Sequence, residues 1–363
     1  LSDILIIGGG IIGMLTAREL SLAGMNVTIV DQSDAGQESS WAGGGIISPL
    51  YPWRYSDPVN ALAAWGQAFY PELIAEINSD TGLDAELIQN GLLMLNDEPE
   101  RALAWAKQSK ARLQIIDKKE ILELEPELDP DSAEVQNAIW MPDVRQVRNP
   151  RLVKVMKKYL LQRGVQFLEQ TEVLGFILDK NKVTGVKTNS AEIKASKVLI
   201  AGGAWSSKLL KNININVDVA PVKGQMILFK SEPDKIKRIV LSQDRYVIPR
   251  RDGRVLVGST LEHTDFEKRT TAEAKKELME EAFRIIPALK DSQVEHHWAG
   301  LRPGSPKGVP YICAVPEMGG LYLNTGHYRN GVVLGPASAR LAADLILERP
   351  RILDADAYGL LRE

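Results

Sequence analysis

Apolar positions open the chain as an unbroken run and then fall into helical spacing. Ile4-Leu5-Ile6-Ile7 has no polar member, as expected of a strand buried on both faces. Glycines at 8, 10 and 13 interrupt it in the G-x-G-x-x-G pattern, and Met14 to Ala23 continues as a helix that Gly24 stops. Asn26 to Val30 is a second strand, closed by Asp31. That order predicts a dinucleotide-binding turn. Gly8 makes the bend, Gly10 leaves room for a pyrophosphate, and Gly13 lets helix and strand approach. The N–H groups of the helix start, at Ile11 and Ile12, face the phosphates. Asp31 stands near the ~20-residue interval expected for an acid that takes ribose hydroxyls.

The later pattern mixes periods. A polar stretch from Gln32 leads through Ser39, Ser40 and Trp41 to Ala42-Gly43-Gly44-Gly45-Ile46, which is either backbone laid against a flat ligand or a flexible loop. Asp57-Pro58 starts a helix, as N-cap and first residue, with Leu62, Trp65, Phe69 and Leu73 on one face up to Gly82. Glu86 to Asn96 reads as a hairpin through Asn90-Gly91. A polar helix (98–110), a short strand (113–116) and a second short helix (118–124) follow. Asn149-Pro150 begins an amphipathic helix to Gly164. Strands at 165–168, 172–178, 183–187 and 193–200 end in Ala201-Gly202-Gly203-Ala204-Trp205, again bare backbone at a strand's end. Strands at 222–230, 246–250, 254–258 and 294–301, with a helix capped by Thr271, suggest an antiparallel sheet. Arg302 is expected at the end of the last strand, before a Pro-Gly turn. A strand at 321–325, a turn over 326–331 and a helix over 332–347 close the chain.

Composition narrows the partners. The chain has 363 residues, a formal net charge of −3, 44% hydrophobic and 25% charged residues. This is an ordinary globular balance that argues against nucleic acid and anionic membranes. Cys313 is the sole cysteine, so an internal disulfide and a cysteine metal cluster are excluded, and a reducing, cytoplasmic setting is expected. No apolar run reaches the ~20 residues of a membrane helix, and no secretion signal is expected. His296 and His297 point to opposite faces of a strand, and no metal is expected.

Three further segments carry a family likeness: Tyr246-Val247-Ile248-Pro249-Arg250, Trp298 through Gly304, and Gly326-His327-Tyr328-Arg329-Asn330-Gly331. With the opening turn, they resemble the glycine oxidases of the D-amino-acid oxidase family of FAD enzymes. The resemblance implies an α/β fold, with a Rossmann-type FAD-binding domain (1–82, 146–221 and 309–363) interleaved with an antiparallel-sheet α+β substrate domain (83–145 and 222–308). It also implies a homo-oligomer, a tetramer. Non-covalent FAD would contact Gly8, Gly10, Ile11, Ile12, Gly13, Asp31, Gln32, Ser39, Ser40, Ala42 and Gly43 to Ile46. Further contacts would come from Val173, Ala201, Gly202, Trp205, Arg302 and the run His327, Tyr328, Arg329, Asn330, Gly331, Val332. The family's substrate residues fall on Tyr246, Arg302 and Arg329, with Ile46 and Leu261 at pocket positions. Asp244, Leu261 and Ile46 replace the histidine and methionines common there, so strict glycine preference is not implied.

The chemistry of those residues agrees. A guanidinium grips both oxygens of a carboxylate in one plane, and a tyrosine hydroxyl can donate to the same group. The expected reaction takes a hydride from Cα of glycine, sarcosine, D-proline or D-alanine to flavin N5. Imine, then α-keto acid, ammonia or amine, and hydrogen peroxide result, with dioxygen as acceptor. No side-chain acid or base is assigned, and His327 is read as structural. The resemblance adds a role in making the thiamine thiazole. The alternative is a dehydrogenase of the same fold that passes electrons to a quinone or a partner protein. A flavin-holding protein without turnover is the non-enzymatic reading.

Overall fold

The structure is a computed structural model that describes residues 2–131 and 134–360. Leu1 and residues 361–363, at the ends of the expected FAD-binding segments, lie outside the described residues, as do 132 and 133. In chain order, β1 (Ser2–Ile7), α1 (Ile11–Leu22) and β2 (Val27–Val30) form the opening unit, followed by α2 (Ser39–Ala42) and the long α3 (Asp57–Thr81). Next come β3 (Ile88–Gln89), β4 (Leu92–Leu95), α4 (Pro99–Ser109), β5 (Gln114–Ile116), α5 (Lys118–Leu124), β6 (Ala138–Met141) and β7 (Arg145–Gln146). The chain continues through α6 (Asn149–Gln162), β8 (Gln166–Leu168), β9 (Val173–Asp179), β10 (Lys182–Thr188), β11 (Glu192–Ile200) and α7 (Ser206–Lys211). Then follow β12 (Ala220–Lys230), β13 (Ile239–Ser242), β14 (Arg245–Pro249), β15 (Arg254–Gly258), β16 (Glu262–His263), α8 (Ala272–Ile285) and β17 (Gln293–Gly304). The last elements are β18 (Tyr311–Ala314), β19 (Leu321–Thr325) and α9 (Gly331–Ile346).

One sheet runs β18-β19-β11-β1-β2-β8, with β19, β11, β1, β2 and β8 parallel. Strand order therefore reverses at β1, the point where doubly wound sheets bind ligands beyond their carboxyl ends. Met14, Leu15, Tyr70, Tyr159 and Leu334 bring α1, α3, α6 and α9 together on one face. The β9–β10 hairpin and α7 cover the other. A second sheet runs β16-β12-β15-β14-β13-β4-β6-β5, with β17 along β12. Phe229, Leu278 and Ile285 seat α8 on one side of it, while Met226, Tyr246 and Ile248 pack on the other with Tyr51 and Trp53.

Several expectations change. The segment around Asn90-Gly91 is not a hairpin: β3 pairs with β7, while β4 pairs with β6 and β13. Gly91 (φ +72°) passes beneath Trp140, where a Cβ would lie 1.9 Å from a ring carbon. The asparagine side chain meanwhile accepts from Gln146 Nε2 and donates to Lys237 O. Tertiary partners thus use the dipeptide as a crossing between sheets. The substrate-side sheet is not wholly antiparallel, because β13 and β4 are parallel. Arg302 lies within β17, paired with Val222, and not at its end. Ser56, not Asp57, is the N-cap of α3. The segments β6, β13 and β18 add strands where the pattern predicted none.

Candidate active site

The two sheets enclose a cavity of about 460 Å³. One wall is the carboxyl edge of the parallel sheet: Gly8 and Gly10 after β1, Asp31 and Gln32 after β2, Ala201 and Gly202 after β11, and Gly326 to Val332, the turn after β19 with the first two residues of α9. The opposite wall carries Gly224, Met226, Tyr246, Gly300 and Arg302. Ser39, Ser40, Ala42 to Ile46, Val173 and Trp205 complete it.

The opening glycines are required for different reasons. A Cβ on Gly8 would meet Ala201 O at 2.3 Å, and one on Gly13 would meet Gly8 O at 2.0 Å. Both are therefore demanded by backbone packing, and Gly13 does not line the cavity. A Cβ on Gly10 meets only Ser40 Oγ, at 3.1 Å. What it would fill is the cavity itself. Ser40 Oγ accepts from Ile11 N (2.8 Å), and Asp31 Oδ2 accepts from Gly9 N (2.7 Å), so both side chains fix the turn they face. Burial raises the Asp31 carboxyl above its usual range, and N–H donors from Ser33 and Gly9 oppose that.

The glycine run at 43–45 is pinned. Asn149 Nδ2 holds Ser40 O (2.8 Å), Trp298 Nε1 holds Ala42 O (3.2 Å), Arg250 Nη2 holds Gly44 O (2.8 Å) and Val147 N holds Gly45 O (2.8 Å). Four separate grips on carbonyls between Ser40 and Gly45 decide between the two readings: this is backbone fixed along the cavity, not a flexible loop.

Arg302 crosses the other strand of its pair. Its Nη2 donates to Ser259 Oγ (2.6 Å) and its Nη1 to Thr260 O (3.3 Å). Among the described residues no carboxylate pairs with it. Burial first, and then Arg329 nearby, lower its pKa, yet a guanidinium stays charged at neutral pH. The site therefore holds a partly buried cation against neutral acceptors, an arrangement that favours an anionic ligand. Tyr246 is buried beside it, its hydroxyl within 3.8 Å of Met226 Sδ. Arg329 faces Asp244 at 3.9 Å.

His327 is fully buried. Its Nε2 lies 2.9 Å from Ser338 Oγ, and desolvation pulls its pKa down to about 3. It is a neutral strut beneath the turn. Asn330 also lines the cavity, and its buried Nδ2 has no hydrogen-bond partner among the described residues. Leu261 does not line the cavity and is 45% exposed. Thr260 turns inward, with its hydroxyl bonded to Gln225 N and Glu262, and extended neighbours alternate sides, so Leu261 faces out. The sequence reading missed Gly224, Met226 and Gly300. Gly224 and Gly300 stand opposite each other in register, and glycines inside strands do signal close approach.

The residues present fit an adenine dinucleotide carrying a flat ring. A glycine turn opens onto space, a second glycine run lies along it, and the start of α9 carries no side-chain cap. Comparison with known proteins decides the family. The model of the DAO family, FAD dependent oxidoreductase, matches residues 3–345.

The chain belongs to that family.

Its cofactor is FAD. Cys313, the sole cysteine, lies on β18 outside the cavity lining and is not placed to tether it. Among relatives of this FAD dependent oxidoreductase is the glycine oxidase of Pseudomonas aeruginosa, 50% identical over 98% of both chains. The bifunctional protein ThiO/ThiG of Synechocystis is 33% identical over 96% of this chain and 52% of its own length. The structure of glycine oxidase from Geobacillus kaustophilus superposes with a TM-score of 0.94 at 28% identity, covering 100% of this chain and 99% of that one.

Proposed function

We propose that this FAD-dependent oxidoreductase oxidises the amine of glycine, and of small N-substituted or D-amino acids, using dioxygen. One observation carries the reading: the partly buried guanidinium of Arg302, which has no carboxylate partner among the described residues, faces the same cavity as the dinucleotide turn. A substrate carboxylate would complete Arg302 with two parallel hydrogen bonds. The Tyr246 hydroxyl is close enough to share that carboxylate, and Arg329 adds positive potential to the same pocket. Bound FAD supplies the hydride acceptor and the route to dioxygen. The chain's own contribution is position, holding Cα in one orientation against the ring. No side chain is assigned to take the amine proton. His327 is engaged with Ser338 and stays neutral, so it does not serve.

The segments 1–82, 146–221 and 309–363 are taken as the FAD-binding domain, and 83–145 and 222–308 as the substrate domain. Support comes from the sheet that each segment's strands join. Among the described residues no helix is long and apolar enough to cross a membrane. The reading extends to a cytoplasmic homotetramer and, through the likeness to the ThiO/ThiG relative, to a role in supplying the thiamine thiazole.

Glycine added without oxygen should bleach the flavin band, and readmitted oxygen should restore it with release of peroxide. Arg302→Ala should raise KM for glycine at least about 100-fold, the loss of a charge-assisted bidentate contact. An unchanged KM would remove the carboxylate assignment. Bleaching without reoxidation by oxygen would favour the quinone-linked alternative.

A further inference from the structure

Arg250 lies at the end of β14 and is buried, yet among the described residues it has no carboxylate partner. The nearest acids, Glu86 and Asp252, are engaged by Arg148. All its acceptors are neutral: Gln146 Oε1 (2.5 Å), Val147 O (3.1 Å) and Gly44 O (2.8 Å). A cation held this way costs stability unless something else in the site uses it. Gly44 and Gly45 line the FAD cavity. A trans peptide directs its C=O and N–H to opposite sides, so Arg250 on Gly44 O leaves the Gly45 N–H on the side away from the guanidinium. Gly45 itself has φ +77°, and a Cβ there would lie 2.0 Å from Val147 O, so only glycine fits here, and the peptide's pose is held by Arg250 on Gly44 O and Val147 N on Gly45 O.

We propose that Arg250 is a positioning residue for the flavin, fixing and polarising the Gly44–Gly45 peptide so that its N–H donates to the bound cofactor. The buried charge behind the peptide then favours the electron-rich, reduced cofactor over the oxidised one. Desolvation lowers the Arg250 pKa to about 10, so the charge persists at neutral pH. The inference rests on FAD occupying this cavity and not on which amine is oxidised.

The test uses holoenzyme without substrate, with Arg250→Met and Arg250→Lys. FAD affinity is measured by flavin fluorescence, and the midpoint potential by dye-coupled reduction. In Arg250→Met the preference for reduced over oxidised FAD should fall roughly tenfold, a midpoint potential about 30 mV lower for a two-electron couple. Arg250→Lys keeps the charge but cannot serve three acceptors at once. It should restore most of the potential while binding FAD several-fold more weakly. A merely structural role predicts a lower melting temperature in both variants with the potential unmoved, and that result would overturn the proposal. Should Arg250→Met not fold, Arg250→Lys decides alone: FAD binding as tight as in the parent would overturn it. A glycine-inactive enzyme that still shows the Arg250 potential shift would refute the oxidase reading and leave this one standing.

Discussion

Gly224 and Arg302 share one small volume across the β12–β17 pair: a Cβ at 224 would lie 2.2 Å from Arg302 Nη2. This strand glycine leaves the space through which the cation reaches the cavity. Gly224→Ala should therefore displace the guanidinium while leaving the cofactor cradle intact. KM for glycine should rise roughly tenfold or more, as when a charged hydrogen bond is lost. The flavin spectrum should be unchanged. Steady-state kinetics beside a visible spectrum check both halves.

The two turn glycines should separate in the apoprotein. Gly13→Ala drives a methyl into Gly8 O. It should cost about 1–3 kcal/mol of stability, by overpacking. Gly10→Ala meets only Ser40 Oγ. The apoprotein should melt near the parent temperature while FAD affinity falls at least about tenfold. Calorimetry of the apoprotein and FAD titration read the two effects independently.

His327 makes the fold acid-sensitive. Its folded pKa is about 3, against about 6.5 when unfolded. Between those values the unfolded chain binds the proton and the folded one does not. Stability is thus complete above pH 6.5 and declines as pH falls toward 3, by at most ~1.4 kcal/mol per pH unit from this group. His327→Gln, which can still bond Ser338, should flatten that part of the curve. Denaturant melts between pH 4 and 7 compare the slopes, and equal slopes would assign the acid sensitivity elsewhere.

What was legible in the sequence was local. The G-x-G-x-x-G turn, the strand ending in Asp31, the Ala201-Gly202 edge and the start of α9 each announce themselves within a few residues. Short-range sterics and periodicity determine them. The two strands expected at 246–250 and 254–258, on either side of Asp252-Gly253, were equally readable, because the turn that joins them as β14 and β15 is closed by its own residues. The Asn90-Gly91 dipeptide carried the same kind of signal and meant something else. Its partners, Gln146, Lys237 and Trp140, are distant in sequence and outweighed the local preference.

The chain by itself determined that a dinucleotide turn exists, while Arg302 and Arg329 were nominated for a carboxylate only through a family likeness. Only the tertiary structure decided that Arg302 meets no carboxylate among the described residues, that Leu261 turns away, and that Arg250 grips the glycine run. The reason is physical. A residue's type sets what its side chain can do, but its counter-ion, its facing and its desolvation come from segments tens to hundreds of residues away, and those arrive only when two interleaved sheets close on one cavity.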